Sequence, residues 1–540
     1  MPDPTPETVM DRWTLVDLVR RQAERYGERE FMRFDDGTTM SFAELDRQST
    51  RLAYALAARG LRAGDRLLGL LLNGPAFLPL LIATNKLGAV FVSVNTELKG
   101  AFLEHQVRNS APRIIAVDRE LAKAFGGIDL ADVDVVVLVG DGDHDLQALR
   151  GRGTAAFGDL LTVVPTTGEL VRPAPRDIST VIFTSGTTGP SKGVLMPHAH
   201  AYLMGYTLAR RLEMTEDDLY YVCMPMFHSN ALFMQTIGSL IAGARVFIVR
   251  RFSPSRWLED VRRTGATLTN GLGVIPEFIF RQPPTPHDRD HKLRAMMAVP
   301  IAAEWGSAFE ERFGVPLVQG YGMTEINIVA YGVPGDPLEP GCAGAVLEEF
   351  FEVRIFDADD HPVATGQIGE IVVRPKLPWC FMAGYQRMPE KSVEAWQNLW
   401  FHTGDAGRLD ARGRLYFVDR IKDCIRRRGE NISSFEIEQV IGAHPQVAES
   451  AVVAVKATDQ GGEDEIKACV VLKPGAALAP EALLDFCQER MPRFAVPRFV
   501  EFVDVLPKTA TGKLQKENLR RAGRTSTAWD REAVGYVVRR

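Results

Sequence analysis

The sequence predicts an α/β protein with a large N-terminal domain of layered sheets and helices, a β-rich subdomain, and a small α+β C-terminal domain. Three observations lead there. At 540 residues the chain is longer than one compact core supports, so two or more domains are required. Between residues 67 and 324, apolar segments of strand length alternate with helical patterns, the arrangement that lays helices over parallel sheets. From residue 344 the pattern changes to short strands and turns, and beyond residue 423 to a compact mixture of helices and strands.

The elements follow in order. Residues 12–60 read as amphipathic helices around a hairpin: Leu15, Leu18, Val19 and Ala23 mark the first helical face, and Leu45, Leu52, Leu56 and Ala57 the later one. Segments 67–72, 90–94, 114–117 and 135–139 are predicted buried strands. The apolar run 67–94 is interrupted by Asn73, Gly74, Pro75, Asn85 and Lys86, so it reads as a buried strand and helix rather than a membrane span. A second round places strands at 181–183, 244–249 and 317–319. Short strands are expected at 352–356, 369–373 and 415–418. Past a boundary near 419–423 the order is helix 435–444, strand 448–455, strand 466–472, helix 480–491, strand 500–505 and a polar loop. The partition is 1–421, 422–525 and a tail at 526–540, whose scattered charges suggest a loosely held segment.

Composition narrows the function. The chain is 46% hydrophobic and 24% charged with a net charge of −6, ordinary for a soluble protein and no electrostatic reason to expect nucleic acid or an anionic membrane as partner. The cysteines (Cys223, Cys342, Cys380, Cys424, Cys469 and Cys487) are scattered, with no C-x-x-C pair. A disulfide framework or zinc site is therefore not expected, and a reducing cytoplasm fits. The acidic, Pro-rich N-terminus is wrong for a signal peptide.

The strongest chemical signal is Thr184-Ser185-Gly186-Thr187-Thr188-Gly189-Pro190-Ser191-Lys192-Gly193, directly after a predicted strand. Glycines and small hydroxylated residues leave backbone N–H groups open, and Lys192 adds positive charge, which suits a polyphosphate. It is not the G-x-x-x-x-G-K-[ST] loop, because Lys192 is followed by Gly. A flexible linker is the ordinary alternative, but linkers seldom abut a buried strand. Further segments are Gln319-Gly320-Tyr321-Gly322-Met323-Thr324-Glu325, His402-Thr403-Gly404-Asp405, Asp419-Arg420-Ile421-Lys422-Asp423 and Pro507-Lys508-Thr509-Ala510-Thr511-Gly512-Lys513.

These five segments, in this order and across most of the chain, resemble the adenylate-forming superfamily of acyl-CoA synthetases, peptide-synthetase adenylation domains and beetle luciferases. The segments from Arg428 to Ser433 and at Glu436-Ile437-Glu438 and Ala443-His444-Pro445 are similar to CoA ligases of the carnitine/crotonobetaine type. The resemblance implies an acid:CoA ligase that uses ATP, Mg²⁺ and CoA, with a mobile C-terminal domain. It gives Thr184, Ser185, Gly186, Thr187, Thr188 and Lys192 the phosphates, Tyr321 the adenine, and Asp405 and Arg420 the ribose or phosphate. Thr324 and Glu325 serve catalysis and the metal; a hard carboxylate oxygen suits Mg²⁺. Lys513 serves adenylation, Lys422 is the hinge, and Gly429, Glu430 and Asn431 line the CoA tunnel. His228 lies at the acyl pocket and thiol entrance. Taken singly, Tyr321 and His228 would equally suit a core, Asp405 a turn, and Arg420 and Lys513 a solvated surface.

Phe227, Phe233, Gly271 and Gly273 point to a mainly apolar acid pocket, with no obvious Lys or Arg to pair with a second carboxylate. One departure from the family concerns Met297-Ala298-Val299-Pro300-Ile301, where many relatives carry a Gly-Ala-Pro-like turn. Ala298 and Val299 add bulk where the base approaches. Two alternatives therefore stand beside a complete ligase: an enzyme that performs only the thioester step on a ready-made acyl-adenylate, and a protein that senses acyl-adenylate or CoA. The expected partners are the small carboxylic acid, ATP/AMP and CoA. A homodimer is left open.

Overall fold

The computed structural model describes residues 10–142, 144–164, 170–184, 190–272, 275–299, 301, 305–421, 425–427, 430–432, 434–458, 461–491, 495–508 and 514–538. The chain divides into two compact units. The first comprises Met1–Ile301, Trp305–Val353 and Val373–Phe401; the second includes Arg354–Val372 and His402–Arg540.

The first unit opens with the helix Leu15–Tyr26, the antiparallel pair β1 (Glu30–Phe34) and β2 (Thr39–Ser41), and the helix Phe42–Ala58. Both helices start where a hydroxyl can satisfy an orphan N–H: Thr14 Oγ1 accepts from Asp17 N at 3.1 Å, and Ser41 Oγ from Glu44 N at 2.9 Å. The following strands are β3 (Arg66–Leu70), β4 (Val90–Ser93), β5 (Ile114–Asp118), β6 (Val135–Val139), β7 (Gly153–Ala156), β8 (Ile178–Thr184) and β9 (Lys192–Pro197). With the short strand Gly384–Tyr385 they form one sheet, in the order Gly384–Tyr385, β9, β8, β4, β3, β5, β6, β7. The pairs from β8 through β4, β3, β5 and β6 to β7 are parallel, whereas β9 runs antiparallel to β8. Leu68, Val92, Ile115, Val136 and Val181 fill its core with Phe125.

The helix Phe77–Lys86 is buried on every side, as its continuous apolar sequence requires. Its Lys86 is covered too. The ammonium donates to Asp46 Oδ1 at 2.6 Å and to Thr50 Oγ1 at 2.8 Å, while burial pulls its pKa down. Among the described residues no helix is long and apolar enough to cross a membrane.

A second sheet uses β10 (Leu219–Val222), β11 (Arg245–Ile248), β12 (Leu268–Leu272), β13 (Ala295–Val299) and β14 (Leu317–Val318), in the order β14, β13, β12, β10, β11, β1, β2. All of its pairs are parallel except β1–β2. A meander of β15 (Gly320–Met323), β16 (Asn327–Tyr331) and β17 (Cys342–Val346) then begins the strand-rich region.

The second unit holds the hairpin in which residues 405–409 pair with 415–420, then the helix Ser434–Gly442 and a sheet in which Val447–Thr458, Gly461–Leu472, Phe499–Phe502 and Trp529–Asp530 are neighbours in that order. Two expectations change here. Residues 354–372 and 402–421, placed above in the large domain, group with this unit. One tie is Asp419, whose Oδ2 accepts from Ser434 N at 2.7 Å, Ser434 Oγ at 2.6 Å and Phe435 N at 3.2 Å, capping the helix Ser434–Gly442. Nor are residues 526–538 loosely held. Trp529–Asp530 pairs with Phe499–Phe502, Asp530 bonds Arg498 at 3.0 Å, and Val538 is buried.

Candidate active site

In the first unit, the end of β8 and the start of β9 pair Thr184 with Lys192 in register, so the loop predicted to bind phosphate closes between two backbone-bonded residues. The antiparallel return beginning at Lys192 was not anticipated. Gly193 makes it possible: a Cβ there would lie 2.9 Å from Val181 Cγ1 and 3.2 Å from Gln386 Cβ. Ser185, Gly186, Thr187 and Thr188 lie outside the described residues.

Glu325 sits on the three-residue turn between β15 and β16. Ile326 N bonds Met323 O at 3.2 Å, and Asn327 adopts φ 77°, a left-handed value that Asn tolerates. Gly322 is required beside it, because a Cβ would fall 2.2 Å from Asn327 O. The Glu325 side chain turns inward and is 4% exposed. Its Oε1 accepts from Thr184 Oγ1 at 3.1 Å and from Tyr385 OH at 3.2 Å. Among the described residues no donor reaches Oε2. Lys192 Nζ donates to the same Tyr385 hydroxyl at 3.1 Å and lies 4.2 Å from its ring centroid. Burial, and then the Glu325 carboxylate, push the Tyr385 hydroxyl well up, so it stays neutral.

Thr324 Oγ1 lies 3.3 Å from Ser229 Oγ, which brings the Glu325 turn to the His228 segment. His228 is half-buried, with its ring 4.5 Å from that of Phe227. Behind the turn, burial lowers the pKa of His200 to about 4, keeping it neutral. Tyr321 is buried at 8% exposure.

The residues expected to line the acid pocket divide. Phe227 is buried beside His228, whereas Phe233 is 0% exposed and packs as core. The space beside Gly271 is already taken: a Cβ would lie 2.6 Å from Met296 Cε and 2.9 Å from Pro276 Cγ. Gly273 lies outside the described residues. A buried polar set stands close in sequence to these residues. Asn230 Oδ1 accepts from Asn270 Nδ2 at 3.1 Å and from Gln235 Nε2 at 2.7 Å, and Tyr220 donates to Asn270. Ala298 is 0% exposed in β13, opposite Gly271 in register, while Val299 keeps partial exposure. Of the two residues expected to crowd adenine, only Val299 therefore offers surface.

In the second unit, Asp405 and Arg420 are direct cross-strand partners, with Arg420 Nε 3.2 Å from Asp405 Oδ1. Glu370, which the sequence did not single out, shapes the His402-Thr403-Gly404-Asp405 segment. Its Oε2 accepts from His402 Nδ1 at 2.9 Å and its Oε1 from Gly404 N at 2.9 Å. Gly404 needs φ 70°, a value that favours glycine. Glu430 and Asn431 belong to the short strand Glu430–Ile432. Lys422, Gly429 and Lys513 lie outside the described residues.

Tyr385 and Glu370 escaped notice because neither has a local signature; each acts on a partner distant in sequence. The only available signal for Tyr385 was its place in a Gly-Tyr pair before a Pro-started helix, too common to carry a role.

Residues 19–386 match the family model described as AMP-binding enzyme, and residues 436–513 the AMP-binding enzyme C-terminal domain. The chain is 31% identical over 514 residues to the crotonobetaine/carnitine–CoA ligase of Salmonella typhi, covering 92% of this chain and 97% of that protein. Among solved structures it is similar to the anthranilate CoA ligase AuaEII in complex with anthranoyl-AMP (TM-score 0.84, 27% identity, 94% of this chain and 97% of that one). It is also similar to the O-succinylbenzoate CoA synthetase of Bacillus subtilis in complex with ATP and magnesium ion (TM-score 0.78, 27% identity, 93% and 98%).

Proposed function

The chain belongs to the AMP-binding enzyme family and is an AMP-forming acyl-CoA ligase, and from that premise we propose that it converts a mainly apolar carboxylic acid to its CoA thioester in two steps. In the first, a carboxylate oxygen attacks the α-phosphorus of ATP, the bond to the β-phosphate oxygen breaks, and pyrophosphate leaves. In the second, the CoA sulfur, having lost its proton, attacks the acyl carbon; the bond to the AMP oxygen breaks and AMP leaves.

The observation that carries this reading is the chain of contacts from Lys192 through Tyr385 to Glu325 and Thr184. It sets a cation, a carboxylate and a hydroxyl at the root of the Gly/Ser/Thr loop. The first step brings two anions together, and fixed charges placed beforehand lower the cost of that approach. Glu325 also suits magnesium. The metal commonly takes one or two carboxylates and completes its shell with phosphate and water, and the two hydroxyl donors on Oε1 leave Oε2 for it. Magnesium would neutralise phosphate charge there, with Thr324 alongside.

The remaining roles follow the resemblance: Asp405 and Arg420 for the ribose, Tyr321 for adenine, Lys513 for the reacting carboxylate, Lys422 as hinge, Gly429 to Asn431 for CoA, and His228 with Phe227 for the acyl group. An apolar acid is favoured by Phe227, whose ring lies 4.5 Å from that of His228. The test is pyrophosphate release across a panel of acids, with and without CoA, followed by detection of acyl-CoA. Release with aliphatic or aromatic acids, and thioester only with CoA, is expected. Thioester formed only from added acyl-adenylate would leave the enzyme with the second step alone.

A further inference from the structure

We propose that Tyr385 is a positioning residue for adenylation, whose hydroxyl sets Lys192 and Glu325 for magnesium-bound ATP. The inference rests on the ligase reading above. Tyr385 is held to β9 by backbone pairing with Val194, and its own N–H bonds Ser392 Oγ at 2.8 Å, so its ring has a fixed origin. From there the hydroxyl accepts from Lys192 Nζ at 3.1 Å and donates to Glu325 Oε1 at 3.2 Å. A phenol that served packing alone would need one partner. This one takes two of opposite charge, from strand β9 and from the β15–β16 turn, and both are residues that the chemistry of ATP calls for.

The physical role is that of a neutral coupler. With the hydroxyl present, the Lys192 ammonium is held by a neutral partner and the Glu325 carboxylate keeps Oε2 for a cation. Without it, each charge loses a hydrogen bond, and a small rotamer change lets the two attract each other at short range. Such a pair competes with phosphate for Lys192 and with the metal for Glu325. The carboxylic acid and CoA make no use of this coupling, so their binding is independent of it.

Tyr385→Phe keeps the ring and its contact with Lys192 while removing the hydroxyl. Hydrogen bonds to charged groups typically contribute about 1.5–3 kcal/mol, so the KM for MgATP in pyrophosphate exchange should rise roughly ten- to a hundredfold. The KM for the acid, and thioester formation from a supplied acyl-adenylate, should stay within about twofold of the wild type. In a Lys192→Ala background the same change should add less than about twofold, because the coupling is already broken. Equal losses in both half-reactions, an unchanged KM for MgATP, or full additivity with Lys192→Ala would each overturn the assignment. Calorimetric binding of MgATP keeps the two readings apart. If the wild type binds MgATP but catalyses no exchange with any acid, the ligase reading fails; the Tyr385 assignment is then decided by whether Tyr385→Phe binds MgATP at least about tenfold more weakly.

Discussion

The candidate site of the first unit and the core of the second handle opposite charges differently. In the first, Lys192 and Glu325 meet through the neutral hydroxyl of Tyr385. In the second, charges meet directly: Lys467 Nζ lies 2.7 Å from Glu501 with side chains 1% and 9% exposed, and Lys516 Nζ lies 2.9 Å from Glu438. A direct buried pair uses its attraction to offset the desolvation of both ions, and little field remains for a third party. A pair coupled through a dipole stays responsive to a ligand that carries both charges, as magnesium-bound ATP does. Asp405 and Arg420 are intermediate: the carboxylate is buried, but Arg420 keeps 43% of its side chain exposed. The comparison teaches that proximity of opposite charges does not mark a reactive site; how they are coupled does.

The largest effect that would break this comparison is on activity. Lys192→Ala should lower pyrophosphate exchange by roughly 100- to 1000-fold, the range typical of removing one preorganised electrostatic contact. Its unfolding free energy should fall by only about 1–2 kcal/mol, the scale of the hydrogen bond and ring contact with Tyr385 that it loses. Urea unfolding run beside the exchange assay checks both halves. A severe stability loss would place Lys192 with the structural charges of the second unit.

The mirror experiment is Lys467→Met. It strands Glu501 in a buried position, which should cost roughly 3 kcal/mol of stability. The hydroxyls of Thr525 and Thr527 still reach Glu501 and soften the loss. KM values for ATP and acid should not move. A changed KM with unchanged stability would invert the comparison.

A third test sharpens where the nucleotide meets the first unit. Val299→Ala should tighten ATP binding about tenfold if its side chain crowds the base. Ala298→Gly should leave ATP affinity alone and destabilise by about 0.5–1 kcal/mol, since Ala298 is wholly buried within a strand. Calorimetric titration of both variants separates them. Equal gains from both would contradict the burial of Ala298.

What the sequence revealed follows the range of the forces involved. The opening helices and hairpin, the parallel strands and most of the last unit's elements were legible, because hydrophobic period is a local property. Thr184, Lys192, Thr324 and Glu325 were singled out from the sequence, and the structure joins Thr184 to Glu325 directly and Lys192 to Glu325 through Tyr385. Tyr385 itself, Glu370 and the Asn230–Asn270 pair were not, since each depends on strand pairing between distant segments. The end of the chain misled for the same reason. Asp530 and Arg531 looked like solvent charges until Arg498 and the Val496 carbonyl supplied partners more than thirty residues away. Phe233 and Gly271 were chosen for chemistry a pocket would want; the structure buries Phe233 and packs Met296 and Pro276 around Gly271.

A comparably small effect is expected at Ser434, and it tests the structural side of the comparison most finely. Its hydroxyl donates to Asp419 at 2.6 Å and accepts from Lys516 Nζ at 2.6 Å. Ser434→Ala removes both bonds yet strands neither charge. Asp419 still accepts two backbone N–H groups at the start of the helix Ser434–Gly442, and Lys516 still meets Glu438. The loss should therefore resemble that of a helix cap, about 1 kcal/mol, seen as a small fall in the urea midpoint with unchanged slope. Rates of both half-reactions should be unaltered, because these charges answer to each other and not to a ligand. A selective loss of thioester formation with intact stability would show that this cluster, too, works through a hydroxyl placed between charges, as Tyr385 does, and the contrast between the two charge clusters would fall.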